Sequence, residues 1–229
     1  MSNIIAELRD VRKNFQDSLI FSGIDLWIEE GETIGICGDS GSGKTTLMNV
    51  LGMLDRPSGG SVIWEGNDVT GERSSKLSKL RPKLFGYIFQ RCNLIPELNV
   101  LENLLFPRRI VTGVEQSDVD FAKNLLKRVS MSGAESRNIT TLSGGERQRV
   151  AVVRAMMNHP KIIIADEPTG SLDERSADAV MDMIVGLCGE YGSALLLITH
   201  NGRFAKKMNT SHKLHGGKLE KIHRWSRES

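Results

Sequence analysis

Cysteine is scarce in this sequence: its 229 residues hold three, Cys37, Cys92 and Cys188, far apart and without CxxC spacing. That argues against a disulfide framework or a structural zinc site and fits a reducing compartment. Long apolar runs are missing too. No stretch approaches the roughly 20 residues needed to cross a bilayer, and Met1 to Asp10 lacks the apolar core of a signal peptide. The expectation is a chain soluble by itself, with any membrane role carried by a separate subunit. Nor is there an excess of one charge, since 30 basic and 28 acidic residues leave a formal +2. A strong field of the kind nucleic-acid binders use is therefore not available.

What is present is enough apolar content, 39% of residues, to bury one sizeable core. Thr33 to Cys37 reads as a short buried strand, followed by Leu47, Val50, Leu51 and Leu54 at helical spacing. Ile162 to Ala165 and Ala194 to Ile198 lack alternation and read as parallel strands covered on both faces. Between them, Asp173 can cap a helix whose stripe is Ala177, Val180, Met181, Ile184 and Leu187, with Gly189 as its stop. Strands alternating with helices predict an α/β fold with a mainly parallel sheet. From Pro96 to Met157 helical patterns dominate, with Ser117 as an N-cap before Phe121, Ala122, Leu125, Leu126 and Val129. A helical subdomain over 91–157, inserted between core segments 1–90 and 158–222, is the simplest account. The polar segment 223–229 is expected to be disordered.

Gly38-Asp39-Ser40-Gly41-Ser42-Gly43-Lys44-Thr45 matches GxxxxGK[ST] between a predicted strand and a predicted helix. Glycines let successive N–H groups and the helix N-terminus face phosphate oxygens, while Lys44 reaches the β and γ phosphates. The phosphate-binding set is Gly38, Ser40, Gly41, Ser42, Gly43, Lys44, Thr45 and Thr46, and Thr45 is a ligand for Mg²⁺. Asp166 and Glu167 follow Ile162 to Ala165 at the C-terminal edge of the sheet, where nucleotide crevices form. Asp166 suits Mg²⁺, a hard cation that favours carboxylate oxygen. Glu167 is left to polarise an attacking water. Two solvated loop acids are the alternative for that pair taken alone.

Leu142-Ser143-Gly144-Gly145-Glu146-Arg147-Gln148 resembles the signature of ATP-binding-cassette proteins. With the phosphate loop, Gln90, Asp166-Glu167, Ser171-Leu172-Asp173 and His200, the resemblance extends over nearly the whole chain in the family's order. It implies a P-loop NTPase core with an inserted helical subdomain and a small N-terminal antiparallel β region. It also implies that Ser143, Gly144 and Gly145 grip the γ-phosphate of ATP held by a second copy, with two chains packed head to tail. Asp173 then organises the facing site. By the same resemblance Gln90 contacts Mg²⁺ or the attacking water, and His200 contacts the γ-phosphate and orients Glu167. Phe15 stands where the family stacks an aromatic on adenine, usually Tyr, with an ordinary core role as the alternative.

The stretches Glu146 to Ala151 and Asp166 to Asp173 look especially like the lipoprotein-release, macrolide-export and cell-division-associated ATPases. That likeness implies an ATPase on the cytoplasmic face of the inner membrane, held there by a separate transmembrane permease. Docking is expected around Leu94 and Ile95, unless those side chains are internal packing. Export or extraction of a lipoprotein-like or hydrophobic substrate is the leading reading. A mechanical regulator of a membrane partner and a nucleic-acid ATPase are the rivals, and neither the coiled coils nor the tandem cassettes of the latter class are seen here.

Overall fold

A computed structural model describes residues 3–16 and 18–224. Two long strands, β1 (Ile4–Phe15) and β2 (Ser18–Glu29), form an antiparallel hairpin. After β3 (Thr33–Cys37) and helix α1 (Lys44–Leu51), the chain returns to that hairpin as β4 (Gly59–Trp64) and the short β5 (Asn67–Asp68). The resulting four-stranded sheet has the order β2-β1-β4-β5. Helix α2 (Ser74–Leu84) then runs directly into β6 (Phe85–Phe89), and α3 (Val100–Val111), α4 (Gln116–Arg128) and α5 (Gly144–Met156) follow. The remainder is β7 (Ile162–Asp166), α6 (Glu174–Tyr191), β8 (Ala194–Thr199), α7 (Gly202–Lys206), β9 (Thr210–His215) and β10 (Lys218–Arg224). A six-stranded sheet of order β10-β9-β3-β8-β7-β6 results, parallel except where β10 pairs with β9.

The continuous apolar runs of β7 and β8 are explained by what covers them. Successive side chains of a strand point to opposite faces. Ile163, Leu195 and Leu197 join a core with the apolar stripes of α3 to α6. Ile162, Ile164, Leu196 and Ile198 join a second core with α1 and the antiparallel sheet. All seven are buried, so neither face tolerates a polar residue at these positions. Trp64 locks the two sheets together: its Nε1 donates to Leu51 O at 2.9 Å, and its ring meets Phe85 edge-on at 5.3 Å.

Several sequence expectations need correction at element ends. Leu54 is not on the helix after the phosphate loop. Gly52 ends α1 by donating its N–H to Met48 O, Met53 turns left-handed at φ 50°, and Leu54 is left 49% exposed. The cap of α4 is Glu115 rather than Ser117: Asp118 Oδ2 accepts from Glu115 N at 2.9 Å, and Asp118 N donates to Glu115 O at 3.1 Å. Helix α6 passes through Gly189, since buried Cys188 prolongs its apolar face, and stops where Gly192 takes the left-handed conformation at φ 70°. Of the tail 223–229, residues 223 and 224 continue β10, and 225–229 lie outside the described residues.

At Gly86 of β6 the sheet meets α5 closely, for a Cβ there would lie 2.3 Å from Ala155 O. Overpacking against backbone costs about 1–3 kcal/mol. Gly86→Ala should therefore lower the urea midpoint with an unchanged m-value; a midpoint equal to the parent's would show that the strand and helix can part at no cost.

Candidate functional site

The loop after β3 owes its path to glycine. Gly41 and Gly43 have φ of 79° and 98°, and a Cβ on Gly43 would meet Ile20 Cγ2 at 2.7 Å. Gly38 is needed for close approach, because a Cβ there would sit 2.5 Å from Leu214 O. No side chain caps α1, so its first N–H groups and positive dipole end face the cleft unshielded, as an anion requires. Lys44 is nearly buried, and its Nζ donates to Gly38 O and Asp39 O, both at 2.8 Å. The ammonium thus arches across the loop it follows.

Parallel register delivers the remaining groups. Cys37 pairs with Thr199, and Asp166 pairs with Ile198. The ends of β3, β7 and β8 therefore converge on one edge of the sheet. There Thr45 Oγ1 donates to Asp166 Oδ2 at 3.1 Å, across 121 positions of sequence. Burial pushes the Asp166 carboxyl above its ordinary value and Glu167 adds to this, while the Thr45 hydroxyl and the Lys44 ammonium oppose it. A bound divalent cation would reverse that balance by favouring the carboxylate. A hydroxyl beside a carboxylate, with room for water and phosphate oxygens, is a donor set that fits Mg²⁺.

Glu167 is held from several sides although its φ of 47° is unfavourable for a side-chain-bearing residue. Its N–H donates to Ile198 O at 2.8 Å. Its Oε1 accepts from His200 N at 2.7 Å, and its Oε2 accepts from Thr199 Oγ1 at 3.1 Å. His200 Nδ1 lies 2.9 Å from Oε2, yet the imidazole is 67% exposed whereas the Glu167 side chain is 15% exposed. The imidazole faces solvent and the carboxylate does not.

Ser40, Gly41, Gly43, Lys44, Thr45, Thr46, Gln90, Asp166, Glu167 and His200 thus surround one cleft of about 460 Å³, together with Ile20. That size suits a small ligand. Gly38 and Ser42 shape the loop without lining the cleft. Gln90 Nε2 lies against Gly170, where a Cβ would come within 2.8 Å. Phe15 is 56% exposed with Lys13 Nζ 5.0 Å over its ring, so it is not core; Lys13 in turn is tied to Asp55 and to Arg56 O. Neither Phe15 nor Ser143, Gly144, Gly145 and Asp173 lines this cleft.

Those last four sit at the starts of two helices, α5 and α6. Ser143 caps α5: its Oγ accepts from Glu146 N at 3.2 Å while Glu146 Oε2 accepts from Ser143 N at 2.7 Å. Arg137 adds an ion pair to Glu146 at 2.6 Å. Nothing lies within 4 Å of where a Cβ would stand on Gly144 or Gly145, so bare backbone is presented at the positive end of a helix. Asp173 accepts from Ser176 N and Ser176 Oγ, and these bonds hold its carboxyl below the ordinary value.

A family profile described as ABC transporter matches residues 21–170. The chain belongs to the ABC transporter family. It is 39% identical over 222 residues, 95% of this chain and 96% of the relative, to the lipoprotein-releasing system ATP-binding protein LolD of Oleidesulfovibrio alaskensis. It is 40% identical over 202 residues, 88% of this chain and 92% of the relative, to the LolD of Porphyromonas gingivalis. Among solved structures it is similar to the dimeric bacterial ABC transporter cassette MJ0796, at 32% identity and a TM-score of 0.86, covering 96% of this chain and all of that one. The post-hydrolysis state of MJ0796 bound to ADP and Pi matches at 31% identity with the same TM-score, again over 96% of this chain and all of that one. As an ABC cassette the chain binds and hydrolyses ATP.

Three members of the site are absent from the motifs. Ile20 walls the cleft beside Gly43, Thr199 donates to Glu167, and Arg137 braces the capping box. Thr199 alone had a legible signal, as the strand-end residue preceding His200.

Arg137 and Ser143 together drop the Glu146 carboxyl from the ordinary 4.5 to about 2. A lowered folded value stabilises above the ordinary value, and that stabilisation is lost as pH falls through about 2. An NMR titration should find the Glu146 carboxyl with a midpoint near 2; an ordinary midpoint would remove the brace from the start of α5.

Proposed function

We propose that this chain is the energising subunit of an exporter of the lipoprotein-releasing kind. Two copies sandwich two molecules of ATP and drive a separate membrane subunit from the cytoplasmic face of the inner membrane. The observation that carries this reading is a division of labour. One chain gathers Lys44, Thr45, Asp166, Glu167 and His200 on a single cleft, while its second phosphate-type helix start, Ser143 to Gly145, stays outside it with Ser143 and Gly144 exposed. A second copy supplies the missing half.

In the closed pair, N–H groups of the Gly38 to Thr46 loop hold the phosphates and Lys44 leaves its carbonyl partners for the β and γ oxygens. Thr45, Asp166 and Gln90 would hold Mg²⁺, which when bound neutralises phosphate charge. Phe15 stacks on the adenine, worth about 1–3 kcal/mol by analogy with base stacking. Glu167 takes the proton of the attacking water, and His200 turns from Glu167 Oε2 to the γ-phosphate. Ser143, Gly144 and Gly145 of the facing copy meet that same phosphate, and Asp173 braces the junction. Gln90 couples this to the segment 91–157, which we read as the subdomain that rotates.

No helix among the described residues is long and apolar enough to cross a membrane. The best surface for a membrane partner is a cleft of about 380 Å³ whose walls include Leu54, Phe89, Phe106 and Ile110. Ile110 is 68% exposed, and Tyr87 Oη and Asn158 Oδ1 of the same cleft have no hydrogen-bond partner. Half-buried Leu94 packs against the helical core, and half-buried Ile95 is held through its backbone by Asn103; docking around these two residues is the alternative surface.

Glu167→Gln should cut turnover by about 10²- to 10⁴-fold and leave an ATP-filled dimer that persists in sedimentation. Near-normal turnover would remove Glu167 as the base. Ile110→Asp should shift the chain from the membrane fraction to the soluble one with ATP binding retained. An unchanged distribution would move the docking surface elsewhere.

A further inference from the structure

We infer that Thr199 is a positioning residue for Glu167, its buried hydroxyl fixing the carboxylate that the proposed mechanism uses as base. The inference rests on that reading of Glu167 and adds a residue that no motif of the sequence contains. Register makes the contact. Because Asp166 pairs with Ile198 at the end of β7, Glu167 just beyond that strand comes beside Thr199, the last residue of β8.

The direction of the hydroxyl is set by its second partner. Asn201 N donates to Thr199 Oγ1 at 3.0 Å, occupying a lone pair, and the hydroxyl proton is thereby left for Glu167 Oε2 at 3.1 Å. Thr199 is 1% exposed, so water cannot replace it. The other side chain on Oε2 is the exposed imidazole of His200. When His200 turns to the γ-phosphate, Thr199 remains as the donor on that oxygen, while His200 N keeps Oε1. A residue at positive φ retains its conformation only where its surroundings over-determine it, and this hydroxyl is one of those constraints.

A purely packing role predicts that valine, equal in shape, serves as well as threonine. The test therefore compares Thr199→Val and Thr199→Ser, each alone and combined with Glu167→Gln, in the full-length chain. Thr199→Val should lower kcat about tenfold or more, the loss of one hydrogen bond to a charged group, with KM for ATP little changed. Thr199→Ser should restore kcat, and in the Glu167→Gln background the valine should cost nothing further. Should valine fold poorly, Thr199→Ala provides the same comparison without the added methyl. Normal kcat in the valine or alanine variant, failure of serine to restore it, or a full additional loss in the Glu167→Gln background would each overturn the inference. Undiminished turnover in Glu167→Gln alone would remove the base assignment and this inference with it. An inactive Glu167→Gln beside an unaffected Thr199→Val would remove only the inference.

Discussion

The alignment of three parallel strands is the constraint from which the chemistry of this ATPase descends. β3, β7 and β8 are neighbours in register, so the residues just beyond each strand come together at one edge whatever their separation in sequence. One strand end delivers a loop of bare N–H groups with Lys44 and Thr45. The next delivers Asp166 and Glu167, and the third Thr199 and His200. That register is strongly specified, because a slip by one residue would turn the apolar sets of β7 and β8 to the wrong cores.

Local strain at this edge is held by bonds from the sheet. Glu167 sits at positive φ, and its N–H and both carboxylate oxygens are engaged by residues of β8 or of the turn after it. Gly38 and Gly43 are irreplaceable for a different reason, since Leu214 O and Ile20 Cγ2 occupy the space a Cβ would need. The phosphate loop is thus moulded against β9 and β2 as well as curled for its ligand. Such over-determination lets a site be both unfavourable locally and rigid.

Much of this was legible in the sequence wherever the information is contiguous. The three strands, the phosphate loop, the Asp173 cap and the signature helix all occupy short segments whose spacing carries their meaning. What escaped depends on distant partners. Glu115 displaces Ser117 as a cap because Asp118 answers it, and α6 outruns Gly189 because tertiary burial of Cys188 outweighs the roughly 1 kcal/mol cost of an interior glycine. The contacts of Thr199 with Glu167 and of Arg137 with Glu146 span 32 and 9 positions and leave no local pattern. The apolar cleft joins Leu54, Phe89 and Ile110 from three separate segments, so it has no contiguous signature, whereas the apolar pair Leu94 and Ile95 does.

The geometry leaves each chain with one phosphate cleft and one helix start outside it, both suited to the same anion. In the proposed dimer a nucleotide needs both, and the two belong to different copies. The most direct check is specific turnover at saturating Mg-ATP, measured across protein concentrations that span dimer formation, with sedimentation velocity reporting the dimer fraction. Turnover per chain should rise in step with that fraction. Turnover per chain that stays constant down into the monomeric range would contradict the composite site.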